Sequence, residues 1–167
     1  MNTFYDDMLK GNSIKDVVRL LFEKSGYGVF PYGYESTLSD IKKKLTQVNS
    51  KNSRTARRIR SSPDLLVYDD QREDVMLVEI KMRRAPMETR VTNLKILNCK
   101  EFWDDSVLVV VVPSGNVFYA QMVSELEIKE WYNLNKDFLK IEEVFTRVKG
   151  DDILHFKDQA LQIMKKT

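Results

Sequence analysis

The apolar and polar positions divide the chain into alternating helical and extended segments. Residues 13–25 place Ile14, Val17, Val18, Leu21 and Phe22 at helical spacing behind Ser13, a suitable N-cap, and Gly26 ends the run, so an amphipathic helix is expected there. Tyr27 to Tyr34 reads as a first strand punctuated by Gly28, Pro31 and Gly33, and residues 37–48 as a second helix carrying Leu38, Ile41 and Leu45. Ser62 to Tyr68 and Val75 to Lys81 are rich in strand-forming residues and are separated by Asp69-Asp70-Gln71-Arg72-Glu73-Asp74, which predicts an antiparallel hairpin.

Side chains alternate faces along a strand, so Met76, Val78, Ile80 and Met82 share one face and Val75, Leu77, Glu79 and Lys81 the other. The first face is wholly apolar. The second begins apolar and ends in a carboxylate and an amine, as in a strand that starts beneath a core and emerges at a cleft. If Tyr68 pairs with Val75 across the turn, Asp64 stands opposite Glu79.

Further on, Thr89 or Thr92 opens an expected helix that turns Val91, Leu94, Leu97 and Phe102 toward the sheet and Lys95 and Lys100 outward. Val107 to Val112 is a continuous apolar run, the signature of a strand buried on both faces, and Val117 to Val123 returns after the turn Pro113-Ser114-Gly115-Asn116. Beyond it, Trp131, Tyr132, Phe138, Ile141, Val144 and Phe145 read as packing, followed by a helix from Asp151 to Lys166 with Ile153, Leu154, Leu161 and Met164 as its apolar positions. His155, on that helix without a Ser or Cys motif, reads as structural.

A chain of 167 residues suits one domain with a full core, here residues 1–167 with a motif core over about 13–123 and a C-terminal helical extension over 124–167. One cysteine, Cys99, and one histidine exclude a disulfide framework and a Cys/His zinc site, which fits an intracellular setting. The first residues show no signal peptide, and no apolar run approaches a membrane span. Charge is distributed unevenly. Residues 42–60 hold Lys42, Lys43, Lys44, Lys51, Arg54, Arg57, Arg58 and Arg60 with no acid, against a net charge of +2 for the whole chain, so the remainder is net acidic. The segment has loop composition around 49–53 and leads directly into Pro63-Asp64, where its arginines would meet a phosphate backbone; a solvated charge run is the alternative.

Two carboxylates opposed on a sheet face destabilise it unless compensated, and a divalent cation held by both is the simplest compensation; hard oxygen donors suit Mg²⁺ better than zinc. The plain alternative is a solvated Glu-Lys pair worth roughly 0–1 kcal/mol. Pro63-Asp64 followed after one hairpin by Glu79-Ile80-Lys81 resembles the motif of the PD-(D/E)XK nuclease superfamily. The resemblance implies an α/β fold with a restriction endonuclease-like core, a mixed central sheet in the order αβββαβ flanked by helices, similar to archaeal Holliday junction resolvases. It implies metal-dependent hydrolysis of DNA phosphodiester bonds, with RNA also open. Asp64 and Glu79 would hold Mg²⁺ or Mn²⁺ with the Ile80 backbone carbonyl, and Lys81 would assist the attacking water. Where many members carry a first-helix Glu, this chain has Lys15; Asp16 is the next candidate, Glu23 a second, and a solvated helix face explains both equally well. Lys51, Arg54, Arg57, Arg58, Arg60, Arg83 and Arg84 are the candidate backbone contacts, and Glu35 lies within reach of the cleft. Because two strands need two sites, a homodimer is compatible with this reading, and the rival is a non-catalytic nucleic-acid-binding or scaffold protein on the same fold. A third reading is an interaction protein whose basic segment meets an acidic partner.

Overall fold

The computed structural model describes residues 3–33, 53–83, 88–90, 95–112 and 115–165. Its centre is a six-stranded sheet in the order β1 (Gly28–Pro31), β2 (Leu65–Asp69), β3 (Asp74–Met82), β5 (Val107–Val111), β6 (Phe118–Met122), β8 (Leu139–Lys140). β3 and β5 pair in parallel and the other neighbours antiparallel, so the sheet is mixed. A separate antiparallel pair joins β4 (Glu88–Arg90) to β7 (Trp131–Asn133). The helices are α1 (Thr3–Lys24), α2 (Arg54–Arg60), α3 (Ile96–Phe102), α4 (Leu134–Asp137), α5 (Ile141–Val144) and α6 (Gly150–Lys165). A parallel pair needs a crossover, and α3 lies in the one between β3 and β5. With α2 set between β1 and β2 and β4 into that crossover, α1-β1-β2-β3-α3-β5 follows the expected αβββαβ order.

The hairpin pairs Tyr68 with Val75 and Leu65 with Val78, as the sequence predicts. β5 is buried along its whole length because both faces are covered. Val107, Val109 and Val111 join Val78 and Ile80 under Ile14, Val18, Leu21 and Phe22 of α1 and Phe156, Ala160 and Met164 of α6. Leu108, Val110 and Val112 face Ile96 and Cys99 of α3 together with Tyr132, Leu134 and Phe138. Glu79 is level with Leu108, near the start of β5, and therefore belongs to the α3 side, one residue past the point where β2 begins to pair with β3.

Several boundaries differ from expectation. α1 starts at Thr3, so Ser13 lies inside it; Gly11 within a helix costs about 1 kcal/mol, too little to end one whose later turns are buried. At its other end the N–H groups of Gly26 and Tyr27 donate to the carbonyls of Glu23 and Phe22 at 3.0 and 3.1 Å, and Gly26 has φ +87°, a conformation that favours glycine. Thr89 opens no helix: it sits in β4 opposite Tyr132, and among the described residues the next helix is Ile96–Phe102, while Val91, Thr92 and Leu94 lie outside them. There Ile96 and Cys99 face inward, while Leu97 is 49% exposed. On α6 the buried positions are Phe156, Ala160 and Met164, and Leu154 is 63% exposed. The expected loop before Pro63 is helical from Arg54 on, capped by Ser53, whose Oγ accepts the Ala56 N–H at 3.2 Å. The expected helix at 37–48 lies outside the described residues, as do Glu35, Lys51 and Arg84. Among the described residues no helix is long and apolar enough to cross a membrane.

Candidate active site

Asp64 is anchored on both its backbone and its side chain. Its carbonyl accepts the N–H groups of Tyr32 and Gly33 at 3.0 and 3.2 Å, tying the residues after β1 to the start of β2. Asp64 Oδ2 accepts the Ile80 N–H at 2.9 Å, a donor that lies beyond the last paired residue of β2. The hairpin register, carried one residue past Leu65, sets Asp64 opposite Glu79.

Glu79 is only 7% exposed, and its Oε1 is ion-paired with Lys81 Nζ on the same strand face. Burial pushes the Glu79 carboxyl up, the neighbouring Lys81 ammonium pulls it down and the Asp64 charge pushes it up again; the balance lies above the ordinary carboxylate value. On the other side Asp64 Oδ1 meets Lys15 Nζ at 2.6 Å. The first helix therefore reaches the site with an amine. Asp16 is turned elsewhere, 67% exposed on its side chain and 3.8 Å from Arg19, and Glu23 pairs with the same arginine at 3.6 Å. Neither stands at the site, which corrects the expectation for the helix carboxylate. The reason is helical geometry: adjacent residues project about 100° apart, so with Lys15 directed at Asp64 its neighbour cannot be.

Lys15 as the partner of Asp64 is the contact that sequence reasoning missed, because it depends on how α1 is seated. Lys95 is exposed, as expected, at the start of α3, where its backbone is left-handed with φ +53°; the Lys81 ammonium first, then burial, hold its amine below the usual lysine value, while Glu79 and Asp64 oppose the shift. Cys99 on the same helix is no nucleophile, since burial pushes its thiol up to about 12.

The donor set fits a hard divalent cation in part. Two carboxylates and the adjoining Ile80 backbone sit together where β2 begins beside β3, and oxygen donors few enough to leave room for water and phosphate oxygens suit Mg²⁺ or Mn²⁺. Among the described residues no group of three or more His, Cys, Asp or Glu forms a fuller cage.

Of the expected backbone contacts, three arginines of α2 lie against α3. Arg54 and Arg57 stand 5.8 and 5.3 Å from the Phe102 ring, Arg58 stands 5.2 Å from the Trp103 ring, and Arg57 is ion-paired with Glu101. Arg60 Nε donates to the Ala56 carbonyl at 3.3 Å. Arg83 is half-buried: its Nη1 donates to the Met82 carbonyl at 3.1 Å, and burial lowers its pKa. The segment over 54–60 is thus a docked basic helix, and Arg54 keeps 80% of its side chain exposed.

No protein-family model matches the chain, and no curated protein matches its sequence. Among solved structures, Hjc, a Holliday junction resolvase from the archaeal hyperthermophile Archaeoglobus fulgidus, is similar at a TM-score of 0.48 and 15% identity, covering 81% of this chain and 94% of that one.

Proposed function

We propose that this chain is a metal-dependent nuclease that hydrolyses phosphodiester bonds of DNA. The observation that carries the reading is the convergence of Asp64, Glu79 and Lys81 where β2 begins beside β3, two carboxylates with an amine on the same strand face as the second. Asp64 and Glu79 would hold Mg²⁺ or Mn²⁺ together with the Ile80 carbonyl. When bound, that cation supplies Lewis-acid polarisation of the scissile phosphate and a more acidic water.

The chain's own groups account for the rest. Asp64 is oriented before any ligand arrives, because the Ile80 N–H holds one of its oxygens. Lys81, next to Glu79, orients the attacking water and offsets the negative charge that grows on the phosphoryl oxygens in the transition state. Arg54 and its neighbours on α2 bind the backbone and set its register without reading bases. One site per chain cuts one strand at a time, so cleavage of both strands at one place calls for two copies.

The test is incubation of plasmid and branched DNA with Mg²⁺, comparing the parent with Asp64→Ala, Glu79→Ala and Lys81→Ala. Each substitution is expected to abolish cleavage; variants that cut as well as the parent would refute the assignment. One observation favours a second reading, a DNA-binding protein without catalysis: Lys15, an amine, meets Asp64 at 2.6 Å. That reading predicts DNA affinity through α2 with no metal-dependent cleavage by the parent.

A further inference from the structure

Two carboxylates and two lysines make up the heart of the site. Asp64 is paired with Lys15 and Glu79 with Lys81. Each acid has its own cation before anything binds.

We propose that Lys15 is a displaceable counter-ion for Asp64, which makes uptake of a divalent cation conditional on the arrival of a phosphodiester. The inference rests on the nuclease reading and adds to it an order of assembly. The Lys15 ammonium at 2.6 Å from Asp64 Oδ1 occupies a lone-pair direction that a metal ligand needs, so amine and cation compete for the same oxygen. A divalent ion entering alone must detach Lys15 and leaves its ammonium without an anionic partner. A phosphodiester changes the balance, because its anionic oxygens offer Lys15 a new partner. Metal and backbone then strengthen one another's binding by the same factor, as linkage requires.

The two lysines differ in their freedom to take part. Lys15 sits on the face of α1 that meets the sheet end, its side chain 36% exposed on a flexible four-carbon stem, so the ammonium can leave while Ile14, Val17 and Val18 keep the helix in place. Lys81 is 14% exposed and shares its strand with Glu79, so it has less room to withdraw. Lys15 is therefore the residue that yields.

The experiment is a titration of the full chain with Mn²⁺, read by the resonance signal of the free ion. It is run without DNA and with a short duplex carrying phosphorothioate linkages, which keep the charge and resist hydrolysis. Parent, Lys15→Gln and Lys15→Arg are compared. The parent is expected to bind Mn²⁺ weakly alone and at least about fivefold more tightly with the duplex, the lower end of ordinary coupling between sites. Lys15→Gln should bind Mn²⁺ more tightly than the parent without DNA and gain less from the duplex, while Lys15→Arg should retain the parent's dependence. If Lys15→Gln binds Mn²⁺ no better than the parent and gains as much from DNA, the ion pair is only structural and the inference fails while the nuclease reading stands. If neither protein binds Mn²⁺ even with the duplex present, both fail.

Discussion

Asp64 Oδ2 accepts the backbone N–H of Ile80 at 2.9 Å, so a candidate metal ligand also completes the hydrogen bonding of β3 where β2 has run out. Structural and chemical roles can be separated by substitution. Asp64→Ala leaves the Ile80 donor without its acceptor and is expected to destabilise the fold by about 1–3 kcal/mol, whereas Asp64→Asn keeps an acceptor oxygen and should lose much less. Urea unfolding of the two variants checks this. Both should lack cleavage, so equal stabilities with unequal activities would contradict the double role.

The α2 arginines make a second prediction. Replacing Arg54, Arg57, Arg58 and Arg60 together by Ala should weaken DNA binding across sequences and flatten the dependence of log affinity on log salt by up to about 0.9 per phosphate contact removed. Glu101 is ion-paired with Arg57 and on the proposed reading would compete with DNA for it, so Glu101→Gln should tighten binding and steepen that slope. Filter binding over a salt series gives both. An unchanged slope in the fourfold variant would remove α2 from the interface.

Far from the site, Arg147 joins the segment before α6 to the start of the sheet. It is ion-paired with Asp70, stands 3.2 Å from Asp69 Oδ1, and donates its backbone N–H to the Tyr27 hydroxyl at 3.2 Å. Its guanidinium holds the Asp70 carboxyl below the ordinary carboxylate value. A depressed carboxyl contributes stability that is present above the unfolded pKa, about 3.9, and is lost as pH falls through the folded value. Burial shifts the Tyr27 phenol the other way, upward. Its contribution is therefore present below about pH 10 and lost as pH rises beyond it. Thermal melts across pH should show both losses in the parent, with the acid loss reduced in Arg147→Gln and the alkaline loss reduced in Tyr27→Phe.

What the sequence reveals and what it hides follows from range. The register at Tyr68 and Val75 is legible because a short turn links two strongly patterned runs, and the burial of β5 is legible because an unbroken aliphatic run admits few other readings. β4 is not, since a three-residue strand has no periodicity and its partner Tyr132 lies far along the chain. The start of α1 at Thr3 and the helix over Arg54–Arg60 were missed for a related reason: glycine, serine and a run of cations mimic a loop until a cap and a neighbouring helix hold them. Around the site, Asp64, Glu79 and Lys81 follow from one hairpin. Lys15 as the partner of Asp64 depends on how α1 is seated, which no local pattern encodes.

The measurement that bears most directly on the central claim is Mg²⁺-dependent cleavage of plasmid DNA by the parent and by Glu79→Gln. Glutamine keeps the size of the side chain and removes the charge that would hold the cation. The account predicts cleavage by the parent that stops when Mg²⁺ is chelated, and none by Glu79→Gln at matched folding and DNA affinity. A folded parent that binds DNA and leaves it intact with Mg²⁺ and with Mn²⁺ would contradict it.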